Sequence, residues 1–418
     1  MAIKNIYFEN FKCFEKVDVE LGKFNIIIGP NASGKSSFIQ ILKFLKDFND
    51  YGLDNAISLQ GSVEFFRNIN IGAKKNFVFK IIIEGSGALG GVGKDDSILI
   101  ERKGIEYELE INFPSNTKKY EVMHEQVIQN VVFHKFNKAA RKIESSKILG
   151  SGKIVCKRDG AKFKRDCDFP EGIGISNDDI NPPFFHKLNV RSNESFFSFP
   201  FIMYPFPFDL FDDFKIYDFD PRLSKKAIPF TGRNDLLEDG GNLTIILNNL
   251  LKNREKKKRL LNLIRDVLPF FNDTKTEKLT DKSFIFTLRE GYYKKSNKYL
   301  PSSFLSDGTI NVIALIISLF FQRNDIIAII EEPERNLHPS LISKIVSLMK
   351  EASKRKQIII TTHNPEILRH CELSDMLFVK RDKNGLASII KPSEREHIKE
   401  FLKNDVGIDE LFIQNLIH

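Results

Sequence analysis

Residues 29 to 36 read Gly29-Pro30-Asn31-Ala32-Ser33-Gly34-Lys35-Ser36, the pattern G-x-x-x-x-G-K-S. Ahead of it, Phe24-Asn25-Ile26-Ile27-Ile28 reads as a strand. Behind it, Phe38, Ile41, Leu42 and Leu45 recur at helical spacing, which predicts a helix from Ser36 to Phe48. Strand, glycine-bearing turn and helix in that order make a phosphate loop. The glycines let backbone N–H groups face an anion, and the helix N-terminus adds the positive end of its dipole. Lys35 is expected on the β- and γ-phosphates and the Ser36 hydroxyl on Mg²⁺. Ser37 completes the stretch, and the ligand read from it is ATP.

Bulk properties fit a folded chain. Of 418 residues, 42% are hydrophobic and 28% charged, near globular averages. The net charge of +8 is compatible with a nucleic-acid surface, and equally with a solvated Lys-rich face. Cys13, Cys156, Cys167 and Cys371 are scattered, so neither a disulfide framework nor a zinc site is expected. Met1 to Phe14 holds no long apolar core, so no signal peptide is expected, and the longest apolar run, Val312 to Phe321, is far short of the ~20 residues that cross a bilayer. A buried helix, a cytoplasmic location and no membrane partner are the expectations.

The chain is regular at both ends and obscure between. Val17 to Leu21 alternates as a half-buried strand does, and Phe77 to Glu84 is strand-like. Gly85 to Gly93 is glycine-rich without a Lys-Ser ending and reads as a flexible loop. Residues 115–215 read as a loop-rich subdomain whose Phe residues, dense from Phe184 to Phe214, fill a small core of their own; a base-stacking platform is the sharper alternative. Asn242 to Phe271 reads as one helical segment with a basic middle. From Ser283 the order is strand, loop, helix, strand, helix, strand.

Three further patterns carry chemistry. Ile326 to Ile330 is a wholly apolar strand, as in a buried parallel sheet, and runs into Glu331-Glu332-Pro333-Glu334. Glu331 is assigned to Mg²⁺ and Glu332 to the attacking water; a solvated acidic turn is the plainer reading. Leu305-Ser306-Asp307-Gly308-Thr309 opens the long apolar helix, placing a hydroxyl, N–H groups and a dipole end where an anion can approach. Ile358-Ile359-Ile360-Thr361-Thr362 is a second apolar strand, ending at His363. A lone histidine is usually structural, but the order and spacing here favour a functional reading.

Together these residues resemble the RecF/SMC/OLD branch of ABC-type ATPases. Ile6 to Phe14 (IYFENFKCF) is similar to the opening of that branch, which makes Lys12 a nucleotide-proximal candidate. Ser306, Asp307 and Gly308 resemble its LSGGQ signature, and His363 its switch histidine. Glu331 to Pro339 (EEPERNLHP) and Thr361 to Pro365 (TTHNP) resemble runs of OLD-like ATPases, with His338 expected to be structural and dimer-facing. Asp239-Gly240-Gly241-Asn242-Leu243 looks like a family element, and Gln60 is the candidate for the Q-loop residue on the metal. The resemblance implies an α/β P-loop head of ABC type, with an antiparallel β subdomain and an inserted α-rich lid or arm region. It divides the chain into 1–84, an insertion 85–282, and 283–418.

The same resemblance implies that ATP and Mg²⁺ are held between two heads, in a homodimer or higher oligomer. The signature would then act in trans, from the second chain. Residues 381–418, with Asp405 and Asp409, leave no room for the Toprim nuclease domain of full OLD proteins, so a separately encoded nuclease-like effector in anti-phage defence is expected. The C-terminal Val406 to Phe412 points the same way. The alternative is a RecF-like DNA repair ATPase that binds DNA in an ATP-dependent way. A transporter ATPase is disfavoured by the long stretch between Ser36 and Leu305, and a small P-loop kinase explains neither Ser306 nor His363.

Overall fold

The computed structural model describes residues 1–418 except 86–88, 93–97, 115–118, 138–141, 182–187, 207–210, 212–213, 230–231, 233–234, 281, 293–297, 323–325, 397, 399–406 and 415–418. Asp405 and Val406 lie outside the described residues. Two compact units interleave along the chain. The first contains Met1–Gly22, Ala32–Asp213 and Lys380–Ile389; the second contains Lys23–Asn31, Phe214–Val379 and Ile390–His418. The boundary passes through the phosphate loop, after Asn31, and through the segment 85–282, after Asp213.

In the first unit an antiparallel sheet runs in the order Phe14–Glu20, Ala2–Phe11, Phe77–Glu84, Ile98–Asn112, Glu121–Asn137, Lys142–Asp159, Lys162–Asp168. Along Ile98–Asn112 buried and partly exposed residues alternate, the sign of a sheet with one covered face. The edge strand Lys162–Asp168 turns Lys162 and Lys164 outward, which discourages pairing with another chain.

The expectation of a loop-rich 115–215 is therefore corrected, since three of these strands lie in it. The glycine-rich loop is corrected in part: Leu89–Val92 pairs with Ile98–Glu101. Glycine suits this strand because a Cβ on Gly90 would fall 2.6 Å from the Pro205 carbonyl oxygen. The later aromatics pack inward. Phe196, Phe206, Phe211 and Phe214 are buried, and Phe163 meets Phe196 edge-on at 4.9 Å, which leaves them unavailable for base stacking.

The helix Lys35–Tyr51 buries Phe38, Ile41, Leu42, Phe44, Leu45 and Phe48. Phe rings supply the mass of this core. Phe66 stands at its centre, with ring centroids at 5.2 Å from Phe11, 4.9 Å from Phe44 and 4.8 Å from Phe77. Phe66→Ala is expected to cost about 3–5 kcal/mol, read as an earlier first transition in chemical unfolding. The carbonyl of Phe66 also accepts from the Lys12 N–H at 3.0 Å, so nucleotide binding should weaken with it.

The second unit is built on a parallel sheet ordered Phe214–Tyr217, Ile327–Glu331, Gln357–Thr362, Phe24–Ile28, Met376–Arg381. Helix Asp307–Phe320 is buried at every position from Thr309 to Leu319, as an apolar helix inside a core must be. The expected helix from Asn242 to Phe271 is corrected to two, Leu243–Leu251 and Arg254–Val267. Asn253 divides them: its side chain accepts from the Lys256 N–H at 3.0 Å and starts the second helix. Phe271 begins a strand that pairs with Ser283–Glu290. No helix among the described residues is long and apolar enough to cross a membrane.

Candidate functional site

Parallel register brings three of the patterns to one place. Glu331 lies opposite Thr361, and Thr362 opposite Ile28. Gly29, Glu332 and His363 therefore leave neighbouring strands at the same, C-terminal edge of the second unit's sheet. Open α/β sheets bind their ligands at that edge.

The loop then continues into the first unit. Ala32 and Gly34 have φ of +61° and +120°, the left-handed side of the map. A Cβ on Gly34 would approach Cys13 Sγ to 3.0 Å and the Ala387 Cβ to 3.1 Å, so only glycine fits. Helix Lys35–Tyr51 has no side-chain cap and no acidic residue in its first turn, which leaves its N-terminus to an anion. Lys12, Cys13, Ala32, Gly34, Lys35, Ser36, Ser37, Phe65, Arg67, Ile69 and Arg381 line a pocket of about 400 Å³ here. Four of them are cations and none is a carboxylate. The buried Ser33 hydroxyl has no hydrogen-bond partner among the described residues. An orphan hydroxyl, an uncapped helix and a cationic wall fit a triphosphate.

Lys12 sits at φ +50° and donates from Nζ to the Gln60 carbonyl oxygen at 2.7 Å. Burial pushes its ammonium below the ordinary lysine range. Gln60 is buried at the end of helix Leu53–Leu59 and is not among the pocket's lining residues. Its contact with this corner is its main-chain oxygen.

In the second unit the three glutamates differ by environment. Glu332 takes φ +44°, a strained setting for a residue with a side chain, and its N–H donates to the Thr361 carbonyl at 2.9 Å. Its carboxylate meets His363 Nδ1 at 2.9 Å and accepts from Arg335 Nε at 3.2 Å. Burial pushes the Glu332 carboxyl upward, but the bonds from His363 and Arg335 outweigh it and hold the group below the usual carboxylate range. Glu334 is buried and accepts from the Thr362 hydroxyl; burial raises its carboxyl despite that bond. Glu334 is thus a structural support, and Glu332 is the half-buried, ionised carboxylate beside the histidine. Glu331 closes its strand, half-buried, with its side chain next in line.

The signature residues are held by the same unit. Ser306 Oγ caps its helix, accepting from the Thr309 N–H at 3.1 Å. Asp307 pairs with Lys225. A Cβ on Gly308 would come within 2.5 Å of the Asn336 carbonyl oxygen, so this glycine admits the loop that follows Glu332. Asn311 Nδ2 donates to the Arg335 carbonyl at 2.8 Å, a second tie to that loop. His338 is exposed, and its Nδ1 accepts from the Ser340 N–H at 3.3 Å.

Arg67, Arg381, Phe65 and Ile69 have no sequence pattern, and only folding reveals them. Asp218 and Arg335 were also missed. Asp218 follows the strand Phe214–Tyr217, apolar but for Lys215, as Glu331 follows Ile327–Ile330, a weaker signal of the same kind.

Known proteins cover the same ground. Residues 1–164 match the family model described as an AAA ATPase domain. Residues 168–369 match one described as an AAA domain, provisionally an AbiEii toxin of a type IV TA system. The uncharacterized protein MJECL43 of Methanocaldococcus jannaschii is 31% identical over 96 residues, 22% of this chain and 25% of its own. Endonuclease GajA of Bacillus cereus is 45% identical over 47 residues, 11% of this chain and 8% of its own. The Septu protein PtuA of Bacillus mycoides is 36% identical over 101 residues, 22% of this chain and 14% of its own. The chain thus spans a quarter or less of each of these relatives. Among solved structures, an Smc head bound to the C-winged helix domain of ScpA aligns over 93% of this chain and 97% of its own, with TM-score 0.48 and 14% identity. The SMC head domain of Thermotoga maritima aligns over 94% and 99%, with TM-score 0.42 and 14% identity. Two AAA ATPase models thus match the chain in succession, over residues 1–164 and 168–369.

Proposed function

We propose that the protein is an ATP-hydrolysing switch whose two heads close head to tail around ATP. The observation that carries this is the Glu332–His363 contact at 2.9 Å, on the sheet edge from which the phosphate loop departs. Lys35 and the loop amides bind the β- and γ-phosphates, and Lys12 adds charge beside them. Ser36 and Glu331 would hold Mg²⁺, with Gln60 as a further candidate ligand; the ion neutralises phosphate charge when bound. Glu332 orients the attacking water and takes its proton, and His363 fixes the carboxylate. Ser306, Asp307 and Gly308 of a second chain complete the site.

Closure favoured by ATP and released by hydrolysis is the switch. Its output is a separately encoded, nuclease-like effector in prokaryotic anti-phage defence. The family resemblance supports this reading, as does the presence of an endonuclease and a Septu protein among the relatives. The RecF-like alternative predicts ATP-dependent DNA binding without an effector, which the net charge of +8 permits.

The purified chain should convert ATP to ADP and phosphate. Lys35→Ala removes the cation at the loop and should cost about 2–5 kcal/mol of binding, on the order of 30-fold or more in ATP affinity by titration calorimetry. Unchanged affinity would remove the phosphate loop from the proposal.

A further inference from the structure

The segment that follows Phe214–Tyr217 grips both halves of the chemistry the chain offers. Asp218 accepts from Arg335 Nη1 at 2.8 Å, and Arg335 Nε reaches Glu332 at 3.2 Å. Seven residues after Asp218, Lys225 pairs with Asp307 at the head of the signature helix, and its carbonyl accepts from the Ser302 hydroxyl at 3.0 Å.

The segment between these grips is itself fixed. The Asp218 N–H donates to the Glu238 carbonyl at 2.9 Å and the Asp220 N–H to Asp239 at 3.0 Å. Ser224 Oγ donates to the Gly240 carbonyl at 2.8 Å. A Cβ on Gly240 would meet Phe219 and Ser224 at 3.2 Å, and φ there is +74°. The Asp239-Gly240-Gly241-Asn242 run, so far without a role, is thus the clamp that holds the segment in place.

An exposed pair of this kind is worth little in stability. The Arg335 and Asp218 side chains are 40% and 55% exposed, and such pairs contribute about 0–1 kcal/mol. Geometry is different. Arg335 bridges two carboxylates through separate guanidinium nitrogens, so its plane is set by Asp218 and, in turn, sets where Glu332 can lie. Glu332 needs such a guide because its own backbone is in a strained turn.

We propose that Asp218 and Arg335 are positioning residues for the hydrolytic step. Through them the segment that follows Phe214–Tyr217 presents Glu332 to the attacking water. This rests on the reading of Glu332 as the water-orienting carboxylate. A partner or ligand that shifts residues 214–242 then alters turnover without touching nucleotide.

The test uses the full chain and steady-state ATP hydrolysis, with Glu332→Gln measured first. If Glu332→Gln turns over like the parent, the reading of the base has failed, whatever Asp218 does. Given a dead Glu332→Gln, Asp218→Asn is expected to lower kcat about 10- to 100-fold. The KM for ATP should stay within about threefold and Tm within about 2 °C, as an exposed pair allows. Asp218→Glu should restore part of kcat. Arg335→Gln should lose as much as Asp218→Asn, and the double variant no more than either alone. The proposal is overturned if Asp218→Asn keeps kcat within about twofold of the parent, or if the two losses multiply. A fall in Tm matched by a fall in ATP affinity makes the pair structural and also overturns it; Arg335→Lys, which keeps the charge but not the two-nitrogen bridge, gives the same decision in a milder variant.

Discussion

Glu332→Gln should leave ATP binding intact, trap a closed dimer, and cut turnover by about 10²–10⁴-fold. Gln keeps the length and the hydrogen-bonding oxygen of Glu but cannot take a proton. Arg335 Nε still donates to the amide oxygen, and the amide NH₂ takes the other position, where it donates to His363 Nδ1 in the tautomer that carries its hydrogen on Nε2, so both contacts of the carboxylate, at 3.2 and 2.9 Å, have a counterpart in the variant. Loss of the negative charge beside bound triphosphate removes a repulsion, which favours the ATP state further. Size-exclusion chromatography with ATP should show the variant as a dimer that persists, while the parent returns to its starting state as ATP is consumed. Parental turnover by Glu332→Gln would sink the assignment. Glu334 is no substitute, because it is buried, bonded to Thr362 and held toward its neutral form.

What could be read from the sequence was whatever is local. The phosphate loop, the strand Ile327–Glu331 and the strand Gln357–Thr362 are contiguous apolar runs that end in their chemistry, and the folded chain has them as expected. The strand Glu121–Asn137 was illegible for a reason its burial makes plain. Val127, Val131 and Phe133 face inward, but so do Glu125 and Gln129, while Ile128 and Val132 are partly exposed on the other face. Two inward polar residues and two outward aliphatics erase the period of two that marks a strand. Glu125 is tolerated because Tyr107 Oη donates to it at 2.9 Å, the Phe196 N–H donates at 2.9 Å, and Ser195 adds a third bond. The break at Asn253 was hidden in the same way, since a polar cap inside a Lys-rich stretch does not interrupt the pattern around it. Arg67 and Arg381 are hundreds of residues apart and meet in one pocket only through tertiary structure.

Mixing two inactive variants should restore activity. Lys35→Ala lacks a working phosphate loop but keeps its signature; Ser306→Arg keeps the loop but loses the signature. If sites are shared head to tail, a mixed pair combines the intact loop of one chain with the intact signature of the other. One of its two sites then works, and random pairing gives about a quarter of the parental rate. The Arg should act by charge. It would carry a cation toward a pocket already lined by Lys12, Lys35, Arg67 and Arg381, where like charges repel. Losing the Ser306 cap costs about 1 kcal/mol, which the helix withstands because Thr309 to Leu319 are buried. Ser306→Arg alone should therefore bind ATP as a monomer, which separates a blocked interface from a misfolded chain. A mixture no more active than its two components, each shown to be folded, would mean that each chain completes its own site and that the signature does not act in trans. Recovery in the mixture has no such account, since neither chain alone holds both Lys35 and Ser306.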